Sequence, residues 1–242
     1  RLLRELLGEH ELDYTFVTKQ LNISVSTIRG MEEQGILVVE TSRHYRNPIS
    51  HLSQTDRKHP LNESQSRVVE TITADIKAGI CKTYLLQGVT GSGKTEVYME
   101  LIARTLEKNR QAIVLIPEIA LTYQTVMRFY NRFGDKVSIM NSRLSPGERY
   151  DQFERAKAGD IAIMIGPRSA LFTPFSRLGL IIIDEEHENS YKSETAPRYH
   201  ARDVAVMRAK MNNASVVLGS ATPSVDSYYQ AMQGNYTLLK MT

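Results

Sequence analysis

From residue 61 on, the chain alternates between stretches with one apolar face and short runs that are apolar at almost every position. Across 61–78, Val68, Ile72 and Ile76 fall on one face of a helix, and Asn62 with Gln65 has the spacing of a capping box. The runs at 83–86, 112–116, 137–140, 161–165, 180–183 and 215–218 read as strands. Helical stretches separate them. One opens on Ser145-Pro146-Gly147-Glu148, which supplies an N-cap, a proline at the first helical position and an acid at the third. Strands without polar alternation are buried on both faces. Interleaved with helices, they predict a parallel sheet covered on both sides, an α/β domain over 61–242.

Residues 1–60 follow a different pattern. Thr15 is placed to cap a helix through Leu21, Asn22-Ile23 makes a turn, and Ser24 caps a second helix that ends before Gly35. Val25, Ile28 and Met31 are the expected buried stripe of that second helix, and 36–40 reads as a strand leading into a basic tip. Arg43, His44, Arg46, His51, Arg57, Lys58 and His59 then fall among Pro48 and Pro60, with no apolar periodicity. Helix, turn, helix, strand and basic loop is the order of a winged helix. It is expected over 1–47, incomplete at its start, with a basic linker over 48–60. On the second helix Arg29 is accompanied by Glu32 and Glu33, a poor surface for a DNA major groove. Contact with DNA, to which Arg43 would contribute, and docking of protein stay equally open, and base-specific reading is not expected.

Composition narrows the classes without choosing one. Of 242 residues 41% are hydrophobic and 24% charged, a globular balance that excludes collagen-like, low-complexity and disordered chains. The one cysteine, Cys81, excludes a disulfide framework and a cysteine-based zinc site within these residues. It is expected as a small core residue, and Met99, Met127 and Met207 are expected in the core as well. The longest apolar runs, such as 178–183, are too short to cross a bilayer, and no leader opens the sequence, so a cytoplasmic location and no membrane partner are expected. A net charge of +3 permits a nucleic-acid partner without requiring one. The chain opens on Arg1 without a methionine and reads as a piece of something longer.

The chemistry lies at the ends of the predicted strands. Gly88-Val89-Thr90-Gly91-Ser92-Gly93-Lys94-Thr95 has the G-x-x-x-x-G-K-[ST] pattern of a phosphate-binding loop, between a strand and a helix as that motif requires. Glycines let consecutive N–H groups turn inward around phosphates, and the helix N-terminus adds positive potential. Lys94 would reach the β- and γ-phosphates, and Thr95 would hold Mg²⁺. The strand at 180–183 delivers Asp184-Glu185-Glu186-His187: Asp184 would complete the Mg²⁺ shell and Glu185 would polarise the attacking water. NTP hydrolysis is therefore expected. Pro117–Thr122, Gly166–Ala170 and Gly219–Pro223 follow other strand ends, with hydroxyls, small residues and Arg168 that suit a nucleic-acid backbone.

Taken together, these segments resemble the motif series of the superfamily 2 DEAH/DEAD-like helicases, with Gln65 in the place of an adenine-reading glutamine. The run 184–192 followed by Pro197-Arg198-Tyr199-His200-Ala201-Arg202-Asp203 is similar, more narrowly, to the primosomal replication-restart helicases, in which a winged helix precedes the helicase lobes. Tyr123, Asn141 and Arg143 depart from that pattern, where proline, histidine and glycine are expected, and Pro167 is unusual. The resemblance implies a first RecA-like lobe and an aromatic-rich loop over 191–200 that couples single-stranded DNA to ATP hydrolysis. In kind the residues agree: Tyr191, Tyr199 and His200 are of the type that stacks bases, and Lys192 and Arg198 of the type that meets phosphates. Ser220 and Thr222 resemble the segment that links ATP state to lobe movement, and His187 would couple the two sites.

The expected function is that of an ATP-dependent 3′-to-5′ DNA helicase of replication restart, a bacterial, nucleoid-associated enzyme using ATP and Mg²⁺. The resemblance implies branched and single-stranded DNA, helicase-loading and other primosome proteins, and the single-stranded-DNA-binding protein as partners. It places zinc only in parts of such a protein outside these residues. Two other readings are a winged-helix scaffold with a regulatory nucleotide site and a motor on double-stranded DNA without strand separation. A second lobe would close over the nucleotide, so the 242 residues alone are expected to bind nucleotide weakly and not to unwind DNA.

Overall fold

In a computed structural model, the described residues are 2, 3, 6, 12, 14, 16–39 and 60–241. The chain divides into two compact units, Arg1–His44 and Tyr45–Thr242. Residues 48–59 of the expected linker, Arg43, and the capping position at Thr15 lie outside the described residues.

In the first unit a π-helical turn, Phe16–Gln20, precedes helix α1, Val25–Glu33. Ser24 caps α1 by accepting the Thr27 N–H. Leu2, Val17, Leu21 and Ile28 are buried together, with Met31 and Leu37 packed against them. The expected stripe needs one correction: Val25 is 57% exposed, because it opens the first turn directly after the cap and faces outward. The expected strand at 36–40 is corrected too. Ile36–Val39 forms no strand, and these residues are largely exposed, with the Val39 N–H donating to Glu32 Oε1 at 3.3 Å. A strand needs a neighbour for its backbone groups, and none is present among the described residues.

The second unit is the predicted α/β domain. Seven strands form one sheet: β1 Thr83–Gly88, β2 Gln111–Leu115, β3 Val137–Ile139, β4 Ile163–Gly166, β5 Leu178–Ile183, β6 Ser215–Ser220 and β7 Thr237–Met241. Their order is β3-β4-β2-β5-β6-β1-β7, and every pairing is parallel. The helices are α2 Glu63–Lys77, α3 Lys94–Glu107, α4 Tyr123–Phe133, α5 Pro146–Ala158, α6 Ala201–Asn212 and α7 Val225–Met232. Successive strand residues enter opposite cores. Tyr84, Leu86, Val114 and Ile182 meet α2, α3 and α4, whereas Leu85, Ile113, Ile181 and Leu218 meet the face that holds α5 and α6. Each fully buried Ile, Leu or Val contributes about 1.5–3 kcal/mol, which is why the runs in the sequence are apolar at almost every position.

The expected capping box forms at Asn62 with Gln65, and the expected cap at Ser145 forms one too, with Glu148. β7 was not anticipated: it is a half-buried edge strand with an exposed Lys240, so it lacks the unbroken apolar signature. It pairs with β1 and sets Met241 opposite Gly88 at the start of the phosphate-binding loop. Two expected core residues are on the surface. Cys81 is exposed, with its thiol donating to the Asn213 carbonyl at 3.1 Å, and Met207 is 61% exposed on the outer face of α6. Met99 is buried and Met127 half-buried, as their helical faces require.

Candidate active site

Sheet order alone gathers the candidate residues. β5, β6 and β1 are neighbours, so the loops at their C-terminal ends lie side by side: 184–187 after β5, 219–223 after β6 and 88–95 after β1. The loops after β2, β3 and β4 form the other half of the same rim and carry Pro117, Asn141 and Arg168.

In the loop after β1, Gly91 and Gly93 both take φ +83°, a left-handed conformation that costs a residue with a Cβ. Gly93 is doubly required, since a Cβ there would overlap the Gln65 amide. Lys94 begins α3 and is only 7% exposed; its Nζ donates to the Gly88 carbonyl at 2.9 Å and stands 3.9 Å from Glu185 Oε1. The Ser92 hydroxyl is buried with no hydrogen-bond partner. Thr95 stands in the first turn of α3, and Thr90 is exposed on the loop. Gln65 is buried against this loop. Its Nε2 donates to the Ser92 carbonyl at 3.0 Å and its Oε1 accepts the Asn62 N–H at 2.9 Å, so it braces the loop through the same amide that caps α2.

Asp184 is held from two sides. Tyr98, fully buried on α3, donates to Asp184 Oδ1 at 2.9 Å, and Tyr191 donates to the Asp184 carbonyl at 2.7 Å. Burial, reinforced by the neighbouring Glu185, pushes the Asp184 carboxyl above its ordinary range, although the Tyr98 hydrogen bond and Lys94 pull it down. Gly219 makes room for Tyr98: a Cβ there would overlap the tyrosine hydroxyl. Glu185 has φ +47°, and its Oε2 lies 3.7 Å from His187 Nδ1. The same His187 nitrogen pairs with the buried Ser220 hydroxyl at 2.8 Å, and the Ser220 Oγ accepts the Thr222 N–H at 3.0 Å. Glu185, His187, Ser220 and Thr222 thus form one chain of polar contacts between the loops after β5 and β6.

Two residues in this site escaped the sequence reading. Tyr98 was hidden because its helical position marks it as core. Glu186 was given no role beside Asp184 and Glu185, yet it is 1% exposed. Its carboxylate accepts the Ser224 N–H at 2.7 Å, the Ser224 hydroxyl at 3.0 Å and the Ser227 hydroxyl at 2.7 Å, and so caps α7. Arg202, at the start of α6, donates to the Ser227 hydroxyl at 3.1 Å and lies 3.7 Å from Asp226. A Ser-x-x-Ser pattern directly after Thr222-Pro223 was the available signal for that cap.

The aromatic-rich loop is built differently from the expectation. Tyr191 is 1% exposed, so its ring cannot stack a base in this conformation; its hydroxyl needs the Asp184 carbonyl, and satisfying it buries the ring. Burial also raises its pKa far above the ordinary tyrosine range. His200 is turned to another use: its Nδ1 accepts the Arg202 N–H at 3.2 Å as the cap of α6, and burial lowers its pKa, which keeps that nitrogen an acceptor. Tyr199 is half-buried and packs edge-on against the exposed Phe172, with ring centroids 5.5 Å apart. Lys192 and Arg198 are exposed.

Beside Tyr191 lies a groove of about 360 Å³ lined by Glu118, Asn141, Ser142, Arg149, Arg168 and Ser190 among others. Arg168 does not reach freely into it. Its guanidinium donates to the carbonyls of Ser190 at 3.2 Å and Lys192 at 2.5 Å. Asn141 accepts the N–H groups of Arg143 and Leu144, and Glu118 accepts that of Ser142, so Asn141, one of the positions that depart from the resemblance, braces the groove's own wall. Among the described residues no cluster of three or more His, Cys, Asp or Glu gathers to hold a metal, and no helix is long and apolar enough to cross a membrane.

Comparison with known proteins agrees with this geometry. The replication restart protein PriA of Bacillus subtilis is 45% identical over 224 residues, which are 92% of this chain and 28% of that protein. PriA of Chlamydia trachomatis is 51% identical over 179 residues, 74% of this chain and 24% of the relative. The chain therefore spans less than a third of the length of these curated relatives. Among solved structures, RecG bound to a three-way DNA junction shares the fold, with a TM-score of 0.58 at 24% identity over 76% of this chain and 24% of that one. Residues 62–231 match the DEAD/DEAH box helicase family, and the chain belongs to it.

Proposed function

We propose that the second unit is the ATP-binding lobe of a DNA helicase that acts in replication restart, its ATP turnover stimulated by single-stranded DNA and its movement 3′ to 5′. The observation that carries this is the buried Lys94. A cation that is 7% exposed, with a carbonyl as its close partner and its carboxylate 3.9 Å away, favours an anion of high charge. The unpaired, buried Ser92 hydroxyl is a second donor waiting at the same loop. A triphosphate fits both.

Gly88, Thr90, Gly91, Ser92 and Gly93 present backbone N–H groups to the phosphates, Lys94 offsets their charge, and Gln65 braces the loop and meets adenine. Thr95 and Asp184 would hold Mg²⁺, which when bound neutralises phosphate charge as bond cleavage develops it. Glu185 takes the proton of the attacking water, with His187 and Ser220 orienting it, and Thr222 passes the outcome to α7. Arg168, Lys192, Arg198 and Tyr199 meet the DNA strand; Tyr191 serves from beneath as a strut.

The domain plan is proposed with it: a winged helix over 1–47 with Arg43 at its tip, a basic linker over 48–60, and a lobe over 61–242 that a second lobe completes. Branched DNA, the single-stranded-DNA-binding protein and primosome proteins are the partners this reading expects, in the bacterial cytoplasm at the nucleoid. PriA relatives at 45% and 51% identity support the reading. The test is steady-state phosphate release by the full-length protein that carries this chain. Poly-dT should raise turnover and Glu185→Gln should abolish it with nucleotide still bound; turnover indifferent to poly-dT contradicts the proposal.

A further inference from the structure

We infer that Arg168 is a latch which holds the site in a resting form until a phosphate of the bound strand takes its guanidinium away. The inference rests on the function proposed above and adds its regulation. Arg168 donates to Ser190 and Lys192, the residues on either side of Tyr191. Tyr191 is anchored in turn on the Asp184 carbonyl. The segment from Asp184 to Tyr191 is therefore closed at both ends: at the head by Tyr98 on the Asp184 carboxylate, at the tail by Arg168 on the carbonyls beside Tyr191.

Glu185 lies inside that closed segment and carries the cost of closure. Its φ of +47° is a left-handed backbone conformation that a glutamate leaves unless its surroundings hold it. In this pose its carboxylate lies between Lys94 at 3.9 Å and His187 at 3.7 Å, drawn toward the lysine that the phosphates need. The conformation is one of rest.

The groove gives the release. Arg168, Ser190 and Tyr191 all line it, so a strand lying there brings a phosphate to the guanidinium. A phosphate outcompetes two neutral carbonyls, because it meets the guanidinium with a full negative charge and can accept two of its N–H groups at once. Once Arg168 turns to the phosphate, residues 190–192 lose their clamp, the strut from Tyr191 loosens, and Glu185 relaxes away from Lys94. Arg168 acts through these residues; it is a positioning residue and touches no reacting atom.

Arg168→Lys separates the latch from simple attraction of DNA. Lysine keeps the charge for a phosphate but ends one bond short of the Nη1 nitrogen, from which Arg168 donates to both carbonyls. In the full-length protein, Arg168→Lys should raise turnover without DNA about tenfold while poly-dT affinity stays within about threefold, so the stimulation ratio collapses. Arg168→Ala should show the same high unstimulated rate with weakened poly-dT binding. Amide exchange supplies a readout apart from activity. The N–H groups of Tyr191, Lys192 and Ser193, bonded to Glu188, Asn189 and Tyr199, should exchange faster in Arg168→Lys and in the wild type with poly-dT. An unstimulated rate and a ratio within about twofold of wild type in Arg168→Lys overturn the latch and leave the proposed function standing. A wild type that poly-dT does not stimulate overturns both.

Discussion

The two ends of the parallel sheet teach what makes a site here. At the N-terminal end lies the larger opening, about 920 Å³, lined by Gly79, Cys81, Lys82, Lys210, Asn213 and Asn235 among others. At the C-terminal rim the groove beside Tyr191 measures only about 360 Å³. Yet the large opening is chemically at rest. Lys82 is paired with Asp75 at 3.1 Å, the Asn213 carbonyl takes the Cys81 thiol and Arg110, and no carboxylate among the described residues lines the opening. The rim concentrates groups that are buried and incompletely paired: Lys94, Ser92, and Asp184 with Glu185 as an uncomfortable neighbour. Volume does not mark the site; unmet charge does.

Substitutions can break that contrast, and the largest effect is expected at the rim. Lys94→Ala should lower turnover of the full-length protein by roughly 100- to 1000-fold, as for loss of a donor aimed at developing charge, with the fold unchanged by circular dichroism. Next comes Glu186→Ala, which strands the Ser224 N–H at the head of α7 and two serine hydroxyls in a buried place. It should cost about 2–3 kcal/mol in urea unfolding of the second unit, and Glu186→Gln visibly less. Gly219→Ala should cost about 2 kcal/mol by driving a methyl into the Tyr98 hydroxyl, and Tyr98→Phe in the same chain should recover part of it. Smallest is the opposite end, where Lys82→Ala should cost under about 1 kcal/mol and change turnover less than about twofold. A Lys82 effect as large as that of Lys94 would erase the distinction between the ends.

Much of this was legible in the sequence, for reasons that differ by element. Strands β1 to β6 are almost wholly buried, so their runs are mostly apolar and visible; Ser138 interrupts β3 and is satisfied by Gln152. β7 was illegible because, unlike β3 at the other edge, it is half-buried and carries a polar residue outward. The phosphate-binding loop and Asp184 were legible because their chemistry fixes residue type and spacing together. Tyr191 was legible as a member of the loop but not in its pose: an aromatic residue in a basic loop reads as a stacking platform, and only the fold shows its hydroxyl beneath the acid loop. Glu186 is the same lesson in reverse, a charge whose partners lie 38 and 41 residues away. At 36–39 the sequence favoured a strand on local preference, which fails where no neighbouring strand supplies backbone partners.

The central claim, that a nucleotide is held at the C-terminal rim by Lys94 and not in the larger opening, has one direct measurement. A fluorescent ATP analogue with Mg²⁺ is titrated into the chain as wild type, Lys94→Ala and Lys82→Ala, followed by anisotropy. The account predicts saturable binding that Lys82→Ala retains and Lys94→Ala loses by at least about tenfold in Kd. Binding that survives in Lys94→Ala but disappears in Lys82→Ala would contradict it.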